Sequence, residues 1–163
     1  MNQSPDIVLK PIGVVRSPFT TLEGMPLQSV AAQGIPGSIE LEPAFRKGLK
    51  DLEAFSHLIL LTHLHRMTGY ALEVTPYLDD QAHGVFATRS PRRPNPLGLS
   101  VIRLIAIEDG RLLIEDVDVL DGTPLLDLKP YVPAFDARET ARIGWFAGRV
   151  ERVHTTRADD RFS

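Results

Sequence analysis

Apolar positions along the chain gather in short β-branched runs between turn residues, and few of them recur at the 3.6-residue spacing of a helix. This pattern predicts strands over Ile7–Arg16, Ser38–Leu41, Phe55–Arg66, Val85–Thr88, Val101–Ile107 and Leu112–Leu120. The segment Ile107–Leu112, IEDGRL, predicts a hairpin, because Asp-Gly supplies the positive backbone angles of a tight turn between right-twisted strands. Only Phe45–Phe55, FRKGLKDLEAF, has a helical pattern, and Gly48 keeps it short. Many short strands with few helices predict an all-β fold, a barrel or a sandwich, and closing the sheet into a barrel removes its edges. No internal repeat or low-complexity linker interrupts the pattern.

Composition then sets bounds. A chain of 163 residues, 43% of them hydrophobic, can bury one sizeable core, which predicts a single domain with a loose C-terminal extension. There is no cysteine, no apolar run near the roughly 20 residues of a membrane span and no basic-then-apolar leader, so a soluble cytoplasmic protein is expected. The formal charge of −3 argues against coating nucleic acid through bulk positive charge. Any polyanion must meet a local patch. Gln81–Ile107 holds four arginines (Arg89, Arg92, Arg93, Arg103) and no carboxylate, whereas Glu108–Asp121 holds six acids and one arginine. From Ala137 onward six arginines face four acids beside the aromatic pair Trp145-Phe146, which reads as a solvated tail or a mobile substrate-contacting arm. Neither G-x-G-x-x-G nor G-x-x-x-x-G-K-[ST] is present, which removes the common nucleotide folds.

The densest chemistry lies in ATRSPRRPNPLGLS, Ala87–Ser100. Pro91, Pro94 and Pro96 fix their own φ and push Ser90, Arg93 and Asn95 into extended conformations, so the segment is a stiff loop, neither helix nor central strand. A loop already poor in conformational entropy holds its side chains ready for a ligand. Arginine forks on it suit carboxylate or phosphate, and Gly98 admits close approach before the next strand. A surface turn with solvated arginines is the plainer reading.

With IGVVRSPF, MPLQ, FSHLILLTHLHR, GVFATRSPRRPNPLGLS and DVLDGTPLLDLKPYVP in this order and spacing, the chain resembles the TsaA-like, or TrmO-type, tRNA methyltransferases from about Ile12 to Pro133. The resemblance implies an S-adenosylmethionine-dependent enzyme that methylates the exocyclic amine of threonylcarbamoyl-adenosine-37 in tRNA. It also implies a single-sheeted β-barrel over residues 1–136, an irregular extension over 137–163 that is not a separate domain, and a homodimer. TRNA-acting bacterial members commonly extend into a further C-terminal domain, so a small-molecule methyltransferase or a cofactor-binding sensor stands as an alternative.

Family roles carried over by position give a cofactor site of Pro26, Leu27, Gln28, His65, Arg66, Arg89, Leu99, Asp121, Gly122, Thr123 and Pro124. Gln28 can offer donor and acceptor to an adenine edge, Leu99 can cover its ring, Arg89 suits the methionyl carboxylate, and Asp121 can accept from the ammonium or the ribose hydroxyls. Read singly, Gln28 is loop surface, Leu99 is core and Asp121-Gly122 is an ordinary turn. Asn95 is the candidate acceptor for the amine proton and Tyr131 the candidate to stack or hydrogen-bond the splayed base. Arg92, Arg93 and Lys129 are expected at tRNA phosphates.

A rival constellation is His57, His63 and His65. If Phe55–Arg66 is one uninterrupted strand, the three share a face and H-x-H can clasp a metal, although no carboxylate lies on that strand. The expectation is no metal.

Overall fold

Six of the strands close on themselves. The computed structural model describes residues 5–139 and 141–162, and in it the all-β expectation holds. The strands are β1 (Gly13–Arg16), β2 (Pro36–Leu41), β3 (His57–His63), β4 (Glu73–Val74), β5 (His83–Gly84), β6 (Leu97–Glu108), β7 (Arg111–Glu115) and β8 (Thr123–Pro130). The barrel order is β1-β2-β7-β6-β3-β8, every pair antiparallel, with β8 returning to β1; β4 and β5 form a small separate ribbon. Alternation fills the interior: Leu58, Leu60 and Thr62 of β3 point inward, as do Ser100 and Ile102 of β6. With Val15, Ile39, Leu112, Ile114 and Leu125 the apolar ones make one core, where each fully buried Leu or Ile contributes about 1.5–3 kcal/mol.

Local chemistry sets the connections. Asp109 at φ 51° and Gly110 at φ 77° form the predicted tight turn between β6 and β7. Gly98 is required for packing, because a side chain there would run into the Thr62 hydroxyl and Leu64 of the neighbouring strand and its continuation. The stiff loop therefore ends at Pro96, and β6 begins earlier than the pattern predicts.

Elsewhere the structure departs from the pattern for identifiable reasons. Phe45–Phe55 is not an α-helix but two 3-10 turns, Pro43–Leu49 and Leu52–Ala54, interrupted by Asp51 at φ 67°. Val85–Thr88 is a 3-10 turn, closed by the Thr88 hydroxyl donating to the Val85 carbonyl at 2.8 Å. β3 stops at His63, where the chain bends as the Leu64 amide donates to the Pro96 carbonyl at 2.8 Å. β8 begins at Thr123 directly after the bend that the sequence marks, and its pattern, with Leu125 buried, was not among the predicted strands.

The C-terminal segment is anchored, contrary to the expectation of a solvated tail. After a single turn of α-helix (α1, Pro133–Asp136), residues 141–162 run as coil and 3-10 turns. Phe162 is buried with Val74 and Val85 in a second small core beside β4 and β5. Trp145 stacks on His83 and donates from Nε1 to the Ala87 carbonyl at 2.7 Å. Ala158 exchanges backbone bonds with Gly24 and Met25, both at 2.9 Å. The segment thus grips both loops that the sequence marks as cofactor-binding. Among the described residues no helix is long and apolar enough to cross a membrane.

Candidate functional site

The end of β3, the start of β8 and the bend before it, the Pro91 loop and the Met25 loop meet at one end of the barrel. They enclose a cavity of about 90 Å³ with apolar walls from Leu22, Met25, Leu64, Met67, Pro91, Val119 and Leu120. His65, Arg66 and Thr123, all expected at the cofactor, line it as well. Thr123 is held by its hydroxyl donating to the Leu120 carbonyl at 2.7 Å, and Arg66 by Nη1 donating to Thr20 at 2.9 Å. Burial, then the charges of Arg66 and His63, holds the His65 imidazole below its ordinary value, so the ring is neutral at pH 7.

Arg89 and Gln28 come together beside this cavity: Nη1 donates to Oε1 at 2.7 Å, joining the proline loop to the MPLQ loop. Pro26 is buried and bridged to Arg157 of the C-terminal segment, which fixes the backbone on which Leu27 and Gln28 sit. Pro124 pairs with Val14 on the opposite side of the bend at Gly122, whose φ of 78° lets the chain turn into β8.

Asp121 is tied into the scaffold. Its Oδ1 accepts from the Ser17 amide at 3.2 Å, its other oxygen lies 3.8 Å from Arg16, and it does not line the cavity. The acid that does is Asp118, which the sequence reading passed over as one of a charged run. Ser100, inward-facing on β6, donates to its carboxyl at 2.6 Å. Burial pushes the carboxyl up to about 6, opposed by the Ser100 hydroxyl, backbone amides and, least, the Arg89 charge. Its signal in the sequence is the alternation Val117-Asp118-Val119, an acid between two residues that are both buried.

The remaining candidates fall in two places. Asn95 is exposed next to β6, and its carbonyl accepts from the Leu97 amide at 2.8 Å; as Leu97 pairs with His63, it lies at the cavity end of β3. Tyr131 lies at the other end, its amide bonded to the His57 carbonyl at 3.0 Å and its ring edge-on to His57. At about 3.3 Å per residue along β3, these two are separated by roughly 20 Å in one chain. Lys129 pairs with Ile59 near the Tyr131 end and contacts Asp127 at 2.7 Å. Leu99 is not core: it is about half exposed, facing outward opposite Leu61.

Arg93 is committed to the loop itself, Nη1 donating to the Thr88 and Val85 carbonyls at 2.8 and 3.0 Å. Arg92 instead lines a larger cavity of about 540 Å³ between the β4–β5 ribbon and the C-terminal segment. That cavity mixes Glu73, Asp79 and Asp80 with Arg92 and Arg161 and holds none of the expected cofactor residues, so size does not mark the site here. The three histidines do not share a face, because β3 ends at His63 and His65 turns into the smaller cavity. Among the described residues no group of three or more potential metal ligands occurs.

A closed antiparallel barrel with a cleft at its end, lined by loops and not by a helix N-terminus, defines a class apart from the doubly wound nucleotide folds. The chain belongs to the tRNA-methyltransferase O family, whose N-terminal domain matches residues 14–137. It is 52% identical over 156 residues to a probable S-adenosyl-L-methionine-binding protein of Pyrococcus abyssi, covering 96% of this chain and 85% of that one. It is 35% identical over 150 residues to a tRNA (adenine(37)-N6)-methyltransferase of Mus musculus, covering 86% of this chain but 34% of the mouse protein. The crystal structure of TrmO from Pseudomonas aeruginosa superimposes with a TM-score of 0.73 at 40% identity, covering 86% of this chain and 63% of that one. The chain thus spans nearly all of the archaeal relative and only part of the other two.

Proposed function

We propose that this S-adenosylmethionine-dependent methyltransferase of the tRNA-methyltransferase O family acts on the exocyclic N6 amine of adenosine-37 in tRNA, in its threonylcarbamoyl form. The observation that carries the reading is the convergence of Arg89, Gln28, His65, Arg66 and Thr123 around one apolar cleft. The cleft fits the cofactor chemically: apolar walls suit an adenosyl group, a guanidinium suits a carboxylate, and an acid suits a cation. When bound, S-adenosylmethionine supplies a methyl group on a sulfonium, a leaving group that needs no strong base. The protein's part is orientation, an effect worth several kcal/mol. Asn95, on its braced loop, accepts a proton-bearing bond from the amine and favours a tetrahedral nitrogen.

Within one chain the cleft is incomplete. A volume of about 90 Å³ is well below the roughly 300 Å³ of an enclosed ligand pocket. Leu99 and Tyr131 lie on the outer wall, beside a strip of Ile59, Leu61, Leu97 and Val101. A homodimer packed through that strip would cover it and bring Leu99, Lys129 and Tyr131 of a second copy to the Asn95 end, which is our reading of how these residues serve one site. Such an enzyme works in the cytoplasm, where its tRNA is.

A second reading, a cofactor-binding sensor, draws on the name of the Pyrococcus abyssi relative, which states binding alone. Mass spectrometry of tRNA nucleosides from cells with and without the gene separates the two. Loss of a methyl group from threonylcarbamoyl-adenosine supports the tRNA enzyme, and an unchanged nucleoside profile points to the sensor or to a small-molecule methyltransferase.

A further inference from the structure

Asp118 is a half-buried acid lining the cavity, with no cation in contact. Among the described residues its carboxyl makes no ion pair within 4.0 Å, whereas Asp121, Asp127, Asp159 and Asp79 all do. Its partners are neutral: the Ser100 hydroxyl donates at 2.6 Å from the inward face of β6, backbone amides at Asp118 and Ser29 also favour the charged form, and the residue lines the cavity. A carboxylate held in an apolar site without a counter-charge is costly, and such an arrangement persists where a cationic ligand completes it. Arg89 is close enough for its charge to act on Asp118, yet its guanidinium is engaged with Gln28 at 2.7 Å.

The Ser29 amide bears on the Asp118 carboxyl and Arg89 is bonded to the adjacent Gln28, so an acid and a guanidinium stand at one loop without an ion pair between them, an arrangement that suits an α-amino acid end, whose ammonium and carboxylate leave the same carbon. Asp121, bonded to the Ser17 amide and beside Arg16, does not line the cavity. We infer that Asp118 receives the ammonium of the cofactor's methionyl end, with Arg89 taking the carboxylate beside it. This rests on the cofactor reading above, and it assigns the ammonium to Asp118 in place of Asp121.

Calorimetric titration of the full chain with S-adenosylmethionine, its demethylated product S-adenosylhomocysteine, and 5′-methylthioadenosine tests it. The last two differ by the amino acid end, and the first two by the sulfonium charge. Asp118→Asn is expected to weaken both S-adenosylmethionine and S-adenosylhomocysteine by about tenfold or more and to leave methylthioadenosine within about twofold. Equal weakening of all three ligands means that Asp118 only shapes the cavity, and weakening of S-adenosylmethionine alone means that it faces the sulfonium; either overturns the assignment. If the unaltered protein binds none of the three, the cofactor reading itself falls.

Should Asp118→Asn fail to fold, the pH dependence of the unaltered protein decides. S-adenosylhomocysteine binding should fall as pH drops from 7.5 to 5 while methylthioadenosine binding holds. The charged or titratable groups facing this end of the cleft are His65, Arg66 and Arg89, with His63 next to His65. The arginines keep their charge throughout and the His65 imidazole gains one as the pH falls, so the same titration on His65→Gln must keep the fall; its loss there overturns the assignment.

Discussion

The guanidinium of Arg89 donates to the side-chain oxygen of Gln28 at 2.7 Å, locking together two loops that lie 61 residues apart in the chain. Arg89 is exposed, so this contact contributes little to folding. Arg89→Ala should weaken S-adenosylmethionine binding by about ten- to a hundredfold, as expected for a charge-assisted pair, with the thermal midpoint moving by no more than about 2 °C. Asn95→Ala should mainly lower turnover. Calorimetry and single-turnover kinetics on both variants check the division, and equal effects on binding and turnover in each would refute it.

The C-terminal segment has a testable mechanical role. Phe162 fills the small core of Val74 and Val85, and Ala158 bonds to Gly24 and Met25 next to the MPLQ loop. Phe162→Ala should cost about 3 kcal/mol at that core and loosen the loop beyond it. The expected signature is faster amide exchange at Gly24 and Met25 together with weaker cofactor binding, while exchange in β3 and β6 is unchanged. Binding at full strength despite a released segment would show that the segment plays no part in the cleft.

How much of this was readable in the chain follows from which signals are local. The Asp109-Gly110 turn depends on backbone angles that the residues themselves impose, and it appears as the sequence predicts; Pro91–Pro96 is, as expected, neither helix nor strand. The Phe45–Phe55 segment has a helical pattern, but Pro43, Gly48 and the left-handed Asp51 leave only 3-10 turns. Asp118 was hidden because its acid neighbours Asp116 and Glu115 turn to Arg103, and only the closure of the barrel separates their fates. The roughly 20 Å between Asn95 and Tyr131 depends on strand register, which no local pattern encodes.

That separation makes the dimer testable by complementation. If one copy supplies Asn95 and the other Tyr131, mixing inactive Asn95→Ala with inactive Tyr131→Phe protein gives mixed dimers with one intact site each. Random exchange of subunits should then restore about a quarter of the full activity. Neither variant alone should regain any. No recovery on mixing, with exchange verified by native mass spectrometry, would mean that both residues act within one chain or that one of them does not act.

Asp118 also predicts how stability changes with pH. Its carboxyl is raised in the folded protein to about 6 from an ordinary value of 3.8, chiefly by burial, so the folded chain holds the proton more tightly than the unfolded chain. The favourable contribution of this group is therefore complete below the unfolded value and is lost as pH rises through about 6. Above that pH the buried anion works against folding. Asp118→Asn keeps the shape and removes the charge, so at pH 7.5 it should stabilise the protein by about 1 kcal/mol, roughly 2–4 °C in thermal midpoint. Near pH 4 the gain should vanish, because the native carboxyl is then protonated in the folded state. Thermal melts of both proteins at the two pH values measure the difference. A variant that is less stable than the parent at pH 7.5, and by more than at pH 4, would show that the carboxyl is held by contacts favouring its charge, and that burial does not dominate this end of the barrel.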